Sequence, residues 1–358
     1  MLDHMNVRAS NSYDFVRFCA ASAVLFSHQF ALSLRPEPAV PLYGEDFGKL
    51  AVEVFFCLSG FLICQSLRKN PDWAEFLCAR FLRIVPNLTF SLVVTTLGTM
   101  IWYHNYSHLW QHIKFVIGNL LMFVRGVTYV IPGVFEDAVG GPAVNGPLWS
   151  LPSELWLYIL LFLFFLFGGR RNGLLILIGT ILLSILWAIT PVIGDKYLGP
   201  FTVLQFSGLG TYFLCGALLA TCWERIKRQA LPMGLTSLVA MLILRNVLPV
   251  NTILQALTLA MTIICLGSSG AMAWFSRAGD ASYGMYIFAW PIQQFCLLLI
   301  GTFWTSMAIA FLLTTLLGYA TWHSFEKRAM SARKQAAAEL RTILRRVFSR
   351  AAAAARGA

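Results

Sequence analysis

An all-α integral membrane protein, with about ten transmembrane helices in one bundle and both termini cytoplasmic, is the fold this sequence predicts. Three observations carry that expectation: the composition, a series of long runs without charge, and a one-sided distribution of Lys and Arg. Of 358 residues, 58% are apolar, 14% aromatic and 12% charged, with a mean hydropathy of +0.69. A soluble domain carries about 45–50% apolar and about 25% charged residues. So few charges cannot give a chain of this size a water-facing surface, which excludes a soluble secreted enzyme, a disordered chain and a soluble nucleic-acid binder.

Runs without Asp, Glu, Lys or Arg cover 18–34, 54–67, 84–113, 155–169, 172–194, 197–223, 229–244, 246–276 and 281–325. A spanning helix needs about 20 mostly apolar residues, and the last run holds 45 residues, enough for two spans meeting near Gly301. Allowing charges at helix ends, the spans fall near 13–34, 49–67, 86–103, 149–168, 173–193, 201–222, 232–248, 252–270, 281–300 and 303–324. The stretch 113–131 is apolar but carries Lys114 and Arg125, and reads as re-entrant or interfacial. The first apolar segment holds Arg17 and His28, unlike the clean apolar region of a cleaved signal peptide.

With the amino terminus in the cytoplasm, the inner loops receive Arg8, Arg17, Arg68, Lys69, Arg80, Arg83, Arg170, Arg171, the 225–228 cluster, Arg277 and the tail. Only Arg35, Lys49, Lys114, Arg125, Lys196 and Arg245, six of the 27 Lys and Arg residues, fall outside or near the outer ends. That asymmetry is the positive-inside pattern of an even number of spans. The net charge of +11 therefore reads as topology control and attraction to anionic lipid headgroups, with no nucleic-acid partner. Two units follow: a transmembrane domain over 1–326 and a basic cytoplasmic tail over 327–358, either a surface helix or disordered. The eight cysteines show no C-x-x-C pairing, and no His/Cys cluster calls for a metal.

Ionisable residues inside spans are expensive and read as functional by default. Arg17 and His28 on span 1, Glu53 on span 2 and Glu154 on span 4 stand out. Eleven residues turn a helix by roughly 1100°, about 20° past three turns, so Arg17 and His28 share a face roughly 16 Å apart along the axis. Counted from the outer ends of their spans, His28, Glu53 and Glu154 reach similar depth, the parts of an acid/base site. Arg80 and Arg83, three apart before Pro86, could clamp a phosphate between two guanidiniums. The plainer readings stand beside these: a satisfied core histidine, carboxylates at positive helix ends, and arginines anchoring the topology. Trp102, Tyr103, Tyr106 and Trp110 suit an interfacial aromatic belt, or a platform for sugar rings.

Six stretches in order resemble acyltransferase family 3, bacterial inner-membrane proteins that acylate surface glycans and related acceptors. RFCAASAVLFSH (17–28) carries the Arg-x10-His pattern, GKLAVEVFFCLSGFLI (48–63) the second-span signature, and ARFLRIVP (79–86) the Arg-x-x-Arg with its Pro. GPLWSLPSELWLY (146–158) is similar to the Trp-Ser-Leu…Glu block, DASYGMYIFAWP (280–291) to the Ser-Tyr…Tyr…Trp-Pro segment, and FEKR (325–328) to the last motif. The resemblance implies an integral membrane O-acyltransferase of the bacterial inner membrane. In it His28 is the catalytic residue, and Arg17, Arg80, Arg83, Ser282 and Tyr283 form a donor site for acetyl-CoA or another acyl-CoA. Glu53 and Glu154 match acidic family positions, either of which could orient the imidazole, and Ser282, Tyr283 and Trp290 match the ninth-span motif. The acceptor implied is a hydroxyl of a cell-surface or lipid-linked glycan. The chain departs at Ala289-Trp290-Pro291, where relatives often have His-Trp-Pro, and in Lys327-Arg328, where Pro often follows Glu326. On composition alone, a transporter or flippase for a lipid-linked sugar would suit these residues as well.

Overall fold

A computed structural model of the protein describes residues 11–40, 44–247 and 252–356. Arg8, Leu248 at the end of the seventh expected span, and the last two residues of the tail lie outside the described residues. The chain folds into helices α1 (Tyr13–Leu32), α2 (Phe47–Lys69), α3 (Trp73–Trp102), α4 (Leu109–Leu120), α5 (Met122–Arg125), α6 (Ser150–Gly168), α7 (Asn172–Ile193) and α8 (Val203–Ile226). They are followed by α9 (Ala230–Val247), α10 (Ile253–Gly267), α11 (Ser282–Ile300), α12 (Phe303–Thr321), α13 (Lys327–Ser331) and α14 (Arg333–Arg356). Strands β1 (Tyr197–Leu198) and β2 (Phe201–Thr202) pair antiparallel as a minimal hairpin.

Among the described residues, seven continuous helical segments are long and apolar enough to cross a membrane. Two of them, Gly146–Ile193 and Val203–Arg245, are longer than one span needs and turn back on themselves at short 3₁₀ turns over Gly169–Arg171 and Lys227–Gln229. α10, at 15 residues, is a shorter apolar helix. The fold is therefore an all-helical, multi-pass membrane bundle.

Helix starts follow local chemistry. Asp46 caps α2 by accepting the Lys49 amide at 2.6 Å, and Asp72 caps α3 by accepting the Glu75 amide at 2.9 Å. Thr202 and Gln205 form a reciprocal capping box at the start of α8. The Asp72 cap changes one expectation. The third helix does not begin at Pro86 but at Trp73, and runs through Pro86 as one 30-residue helix. Membrane helices tolerate such a proline because neighbouring groups meet the freed backbone. Arg80 and Arg83 thus project from the first turns of a spanning helix.

The centre of the bundle is α2, wrapped by α1, α6, α8 and α10. It meets α8 backbone to backbone: a Cβ on Gly60 would lie 1.8 Å from the Phe213 carbonyl, and one on Gly216 2.1 Å from that of Cys57. Small residues that let helices approach this closely are the membrane substitute for a hydrophobic driving force. α7, α9 and α12 sit at the periphery and expose Leu182, Ile185, Val239, Leu312 and Leu316, side chains that suit lipid.

One end of the bundle, the terminal end, gathers both ends of the described chain. Ser12 accepts the Met272 amide at 2.9 Å just beyond α10, and on α14 Arg333 pairs with Glu75 at 3.2 Å and Arg341 with Asp72. The tail is therefore helical and docked on the start of α3. The apolar stretch after residue 108 forms α4 and α5 against α3 and α6; α4, with 12 residues, is too short to cross.

Candidate active site

Two chambers lie end to end inside the bundle. The first has a cavity volume of about 110 Å³ and is lined by Arg17 from α1, Ser59 from α2, Arg80 and Arg83 from α3, Glu154 and Tyr158 from α6, and Ser282, Tyr283 and Tyr286 from α11. The second, of about 620 Å³, is lined by Ser27, His28, Arg35, Glu37, Asp46, Lys49, Glu53, Trp149, Trp187, Gln205, Tyr212 and Tyr286 among others. Arg17 and His28 open on different chambers, as their separation along α1 requires.

In the arginine chamber the pivot is Asp280. Its carboxylate, with 1% of the side chain exposed, takes Arg83 at 2.7 Å and Arg17 at 3.5 Å. It also accepts the Ser282 hydroxyl at 2.5 Å and the Ser282 amide at 3.2 Å. Arg17 further pairs with Asp14 at 3.4 Å and Arg83 with Glu326 at 3.3 Å. Glu326 is itself held by the Asn87 amide group at 2.6 Å and the Thr321 hydroxyl at 3.1 Å. Arg80 differs. Among the described residues no carboxylate comes within ion-pair distance of it, its Nε is buried without a hydrogen bond, and its guanidinium lies 5.6 Å over the Tyr158 ring. The two arginines are thus unequal: Arg83 is engaged by two carboxylates, whereas Arg80 meets the Tyr158 ring and, among the described residues, no carboxylate at ion-pair distance. Ser282 and Tyr283 act as braces, the latter donating its hydroxyl to the Ile84 carbonyl at 2.9 Å beneath Arg83.

Glu154 also belongs to this chamber. It accepts the Ser59 hydroxyl at 3.5 Å and the Tyr158 hydroxyl. The expected convergence of His28, Glu53 and Glu154 is therefore not what the fold makes. Glu53 shares the second chamber with His28, whereas Glu154 lines the first. Depth counted along a helix says nothing about the direction in which a side chain leaves it.

In the histidine chamber the His28 ring stands edge-on to Trp290, 5.0 Å between centroids at 79°. Trp290 is fixed by donating its indole N–H to the Ala143 carbonyl at 2.7 Å, and it rests on Gly146, where a Cβ would come within 3.1 Å of the ring. His28 Nδ1 is buried without a hydrogen-bond partner. Neither Glu53 nor Glu154 orients the ring by a hydrogen bond; Asp46 lines the same chamber as His28. Asp46 lies in the connection before α2 and also receives the Ser27 hydroxyl at 3.4 Å. An Asp just ahead of an apolar run is a cap signal that could have drawn attention to it.

Glu53, 1% exposed, faces Arg245 at 3.7 Å, and Arg245 in turn meets Glu45 at 3.2 Å. Phe30, Trp149, Trp187, Tyr212 and Tyr286 are the aromatic side chains that line the chamber with Glu53, whereas Trp102, Tyr103, Tyr106 and Trp110 line neither chamber. Ala289, where relatives often carry His, is packed in the core at 1% exposure.

The membrane bundle thus holds a buried arginine–carboxylate network on one side and a histidine-lined chamber on the other. The sequence matches the acyltransferase domain over residues 10–323, and the chain belongs to acyltransferase family 3. It is 28% identical over 344 residues to an O-acetyl transferase of Shigella phage Sf6, covering 90% of this chain and 96% of the relative. It is 26% identical over 348 residues to nodulation protein 10 of Rhizobium leguminosarum bv. viciae, covering 90% and 94%. No solved structure matches. The protein is a membrane O-acyltransferase, which decides for group transfer over transport.

Proposed function

We propose that this enzyme moves an acyl group, acetyl in the first instance, from cytoplasmic acyl-CoA to a hydroxyl of a cell-surface or lipid-linked glycan. The observation that carries the reading is the pair of chambers, one rich in guanidinium and the other holding His28, meeting inside a single membrane bundle. On this reading ten helices cross the bacterial inner membrane with the terminal end in the cytoplasm. Residues 1–326 form the catalytic unit, and the basic tail lies at the cytoplasmic surface.

Arg80 meets the donor phosphates, and the thioester is carried towards His28. The imidazole takes the proton of the acceptor hydroxyl as that oxygen bonds to the acyl carbon. The C–S bond breaks, and the CoA thiolate leaves and recovers the proton. A positioned base of this kind contributes about 10²–10⁴-fold. Trp149 and Trp187 offer flat apolar faces for a sugar, and Glu53 and Gln205 offer partners for its hydroxyls.

Purified protein in bilayers, given labelled acetyl-CoA and surface glycan, should yield acylated glycan detectable by mass spectrometry. His28→Ala should remain folded and yield none. Full activity in that variant would return His28 to a packing role.

A further inference from the structure

We propose that Val52 and Tyr286 form the passage between the chambers and thereby set the width of the acyl group this enzyme transfers. The inference rests on the reading that the donor occupies the Arg80 chamber and reacts at His28. Val52 and Tyr286 are the residues common to the linings of both chambers. They are buried, with 6% and 7% exposure, so the chambers meet at a packed wall and not through an open channel.

Both sides of that wall are stiff. Val52 is β-branched on a helix, where one χ1 rotamer dominates, and α2 is clamped to α8 at Gly60 and Gly216. Tyr286 is tied across the bundle from α11 to the start of α6. Its hydroxyl donates to the Pro147 carbonyl at 2.7 Å and accepts from the Ser150 hydroxyl at 2.8 Å. The Phe55 ring meets it edge-on at 6.1 Å.

To be attacked at His28, the acyl carbon must stand on the histidine side while the CoA phosphates remain at Arg80. The acyl group therefore crosses the wall head first, followed by the thin pantetheine arm. A straight acyl chain has much the same cross-section as that arm. A chain branched next to the carbonyl is wider at a point that must pass through the gap. The passage thus reads width before it reads length. No bond changes in the crossing itself.

The test compares butyryl-CoA with isobutyryl-CoA, which have equal carbon number and differ in branching, with acetyl-CoA as reference. Wild type should use isobutyryl-CoA at least about tenfold less well than butyryl-CoA in kcat/KM, the scale on which a tight apolar pocket discriminates a methyl group. Val52→Ala should bring the two within about threefold while binding of CoA alone is unchanged. Val52→Phe should bind CoA and transfer from none of the donors. An unchanged butyryl-to-isobutyryl ratio in Val52→Ala, or acetyl transfer at the wild-type rate in Val52→Phe, overturns the passage while leaving the donor reading intact. Wild-type protein that transfers from no acyl-CoA overturns the donor reading and the passage with it.

Discussion

The two chambers share a wall but differ in the formal charge of the residues that line them. The arginine chamber is lined by Arg17, Arg80 and Arg83 against Glu154, whereas the histidine chamber is lined by Glu37, Asp46 and Glu53 against Arg35 and Lys49. The first holds its excess positive charge in place with carboxylates set just behind its lining, Asp14, Asp280 and Glu326. The second has no excess positive charge to attract a polyanion. On the proposed reading this asymmetry sorts the substrates: the multiply phosphorylated donor is favoured on one side, a neutral, hydroxyl-rich acceptor on the other. It also separates two kinds of residue that look alike in the sequence, those that meet substrate and those that hold the charged network together.

The sharpest break of the comparison is at His28. His28→Ala should lower acyl transfer by about 10²–10⁴-fold with little change in melting temperature, because the ring borders open space and its Nδ1 has no hydrogen bond to lose. Equal loss of stability and activity would place His28 with the braces instead.

Asp280 should behave in the opposite way. Asp280→Asn leaves Arg17 and Arg83, both mostly buried, short of a shared counter-charge. Removing one partner of a buried ion pair costs about 3–5 kcal/mol, so the variant should melt earlier or fail to accumulate. If it is as stable as wild type, the network is not what positions these arginines. Arg80 sharpens the contrast within its own helix. Arg80→Ala should raise KM for acyl-CoA by about tenfold or more, the worth of one charge-assisted hydrogen bond of about 1.5–3 kcal/mol, with little loss of stability. Arg83→Ala should chiefly destabilise, since it takes an ion-pair partner from both Asp280 and Glu326. The same effect from both variants would restore the symmetric clamp.

What was legible in the sequence divides along the same line. The helices α1 to α3 and α6 to α12 overlie the expected apolar segments, because an apolar run of spanning length is a local property that needs no partner. The shared face of Arg17 and His28 was legible for the same reason. Asp280 was not: it lies 263 residues from Arg17 and 197 from Arg83, and only the packing of α11 against α1 and α3 brings them together. Glu154 was misplaced because its neighbours, Ser59 on α2 and Arg80 on α3, are set by the rotation of α6 about its axis, which depth alone does not determine. The part Tyr286 plays is not visible within its motif, because it consists in reaching Pro147 and Ser150 on another segment.

The smallest expected effect tests the residue that joins the two kinds. Asp46 caps α2 and also lines the chamber of His28. Asp46→Asn keeps a side-chain oxygen able to cap, so stability should hold while transfer falls by a few fold, about the worth of one partly screened charge. Asp46→Ala removes both roles and should cost about 1 kcal/mol of stability in addition. A matched series separates the contributions: if Asn and Ala lose activity equally and only Ala loses stability, the charge serves the imidazole and the cap serves the helix. If Asn retains full activity, Asp46 serves only the start of α2, and the imidazole works without a carboxylate of its own.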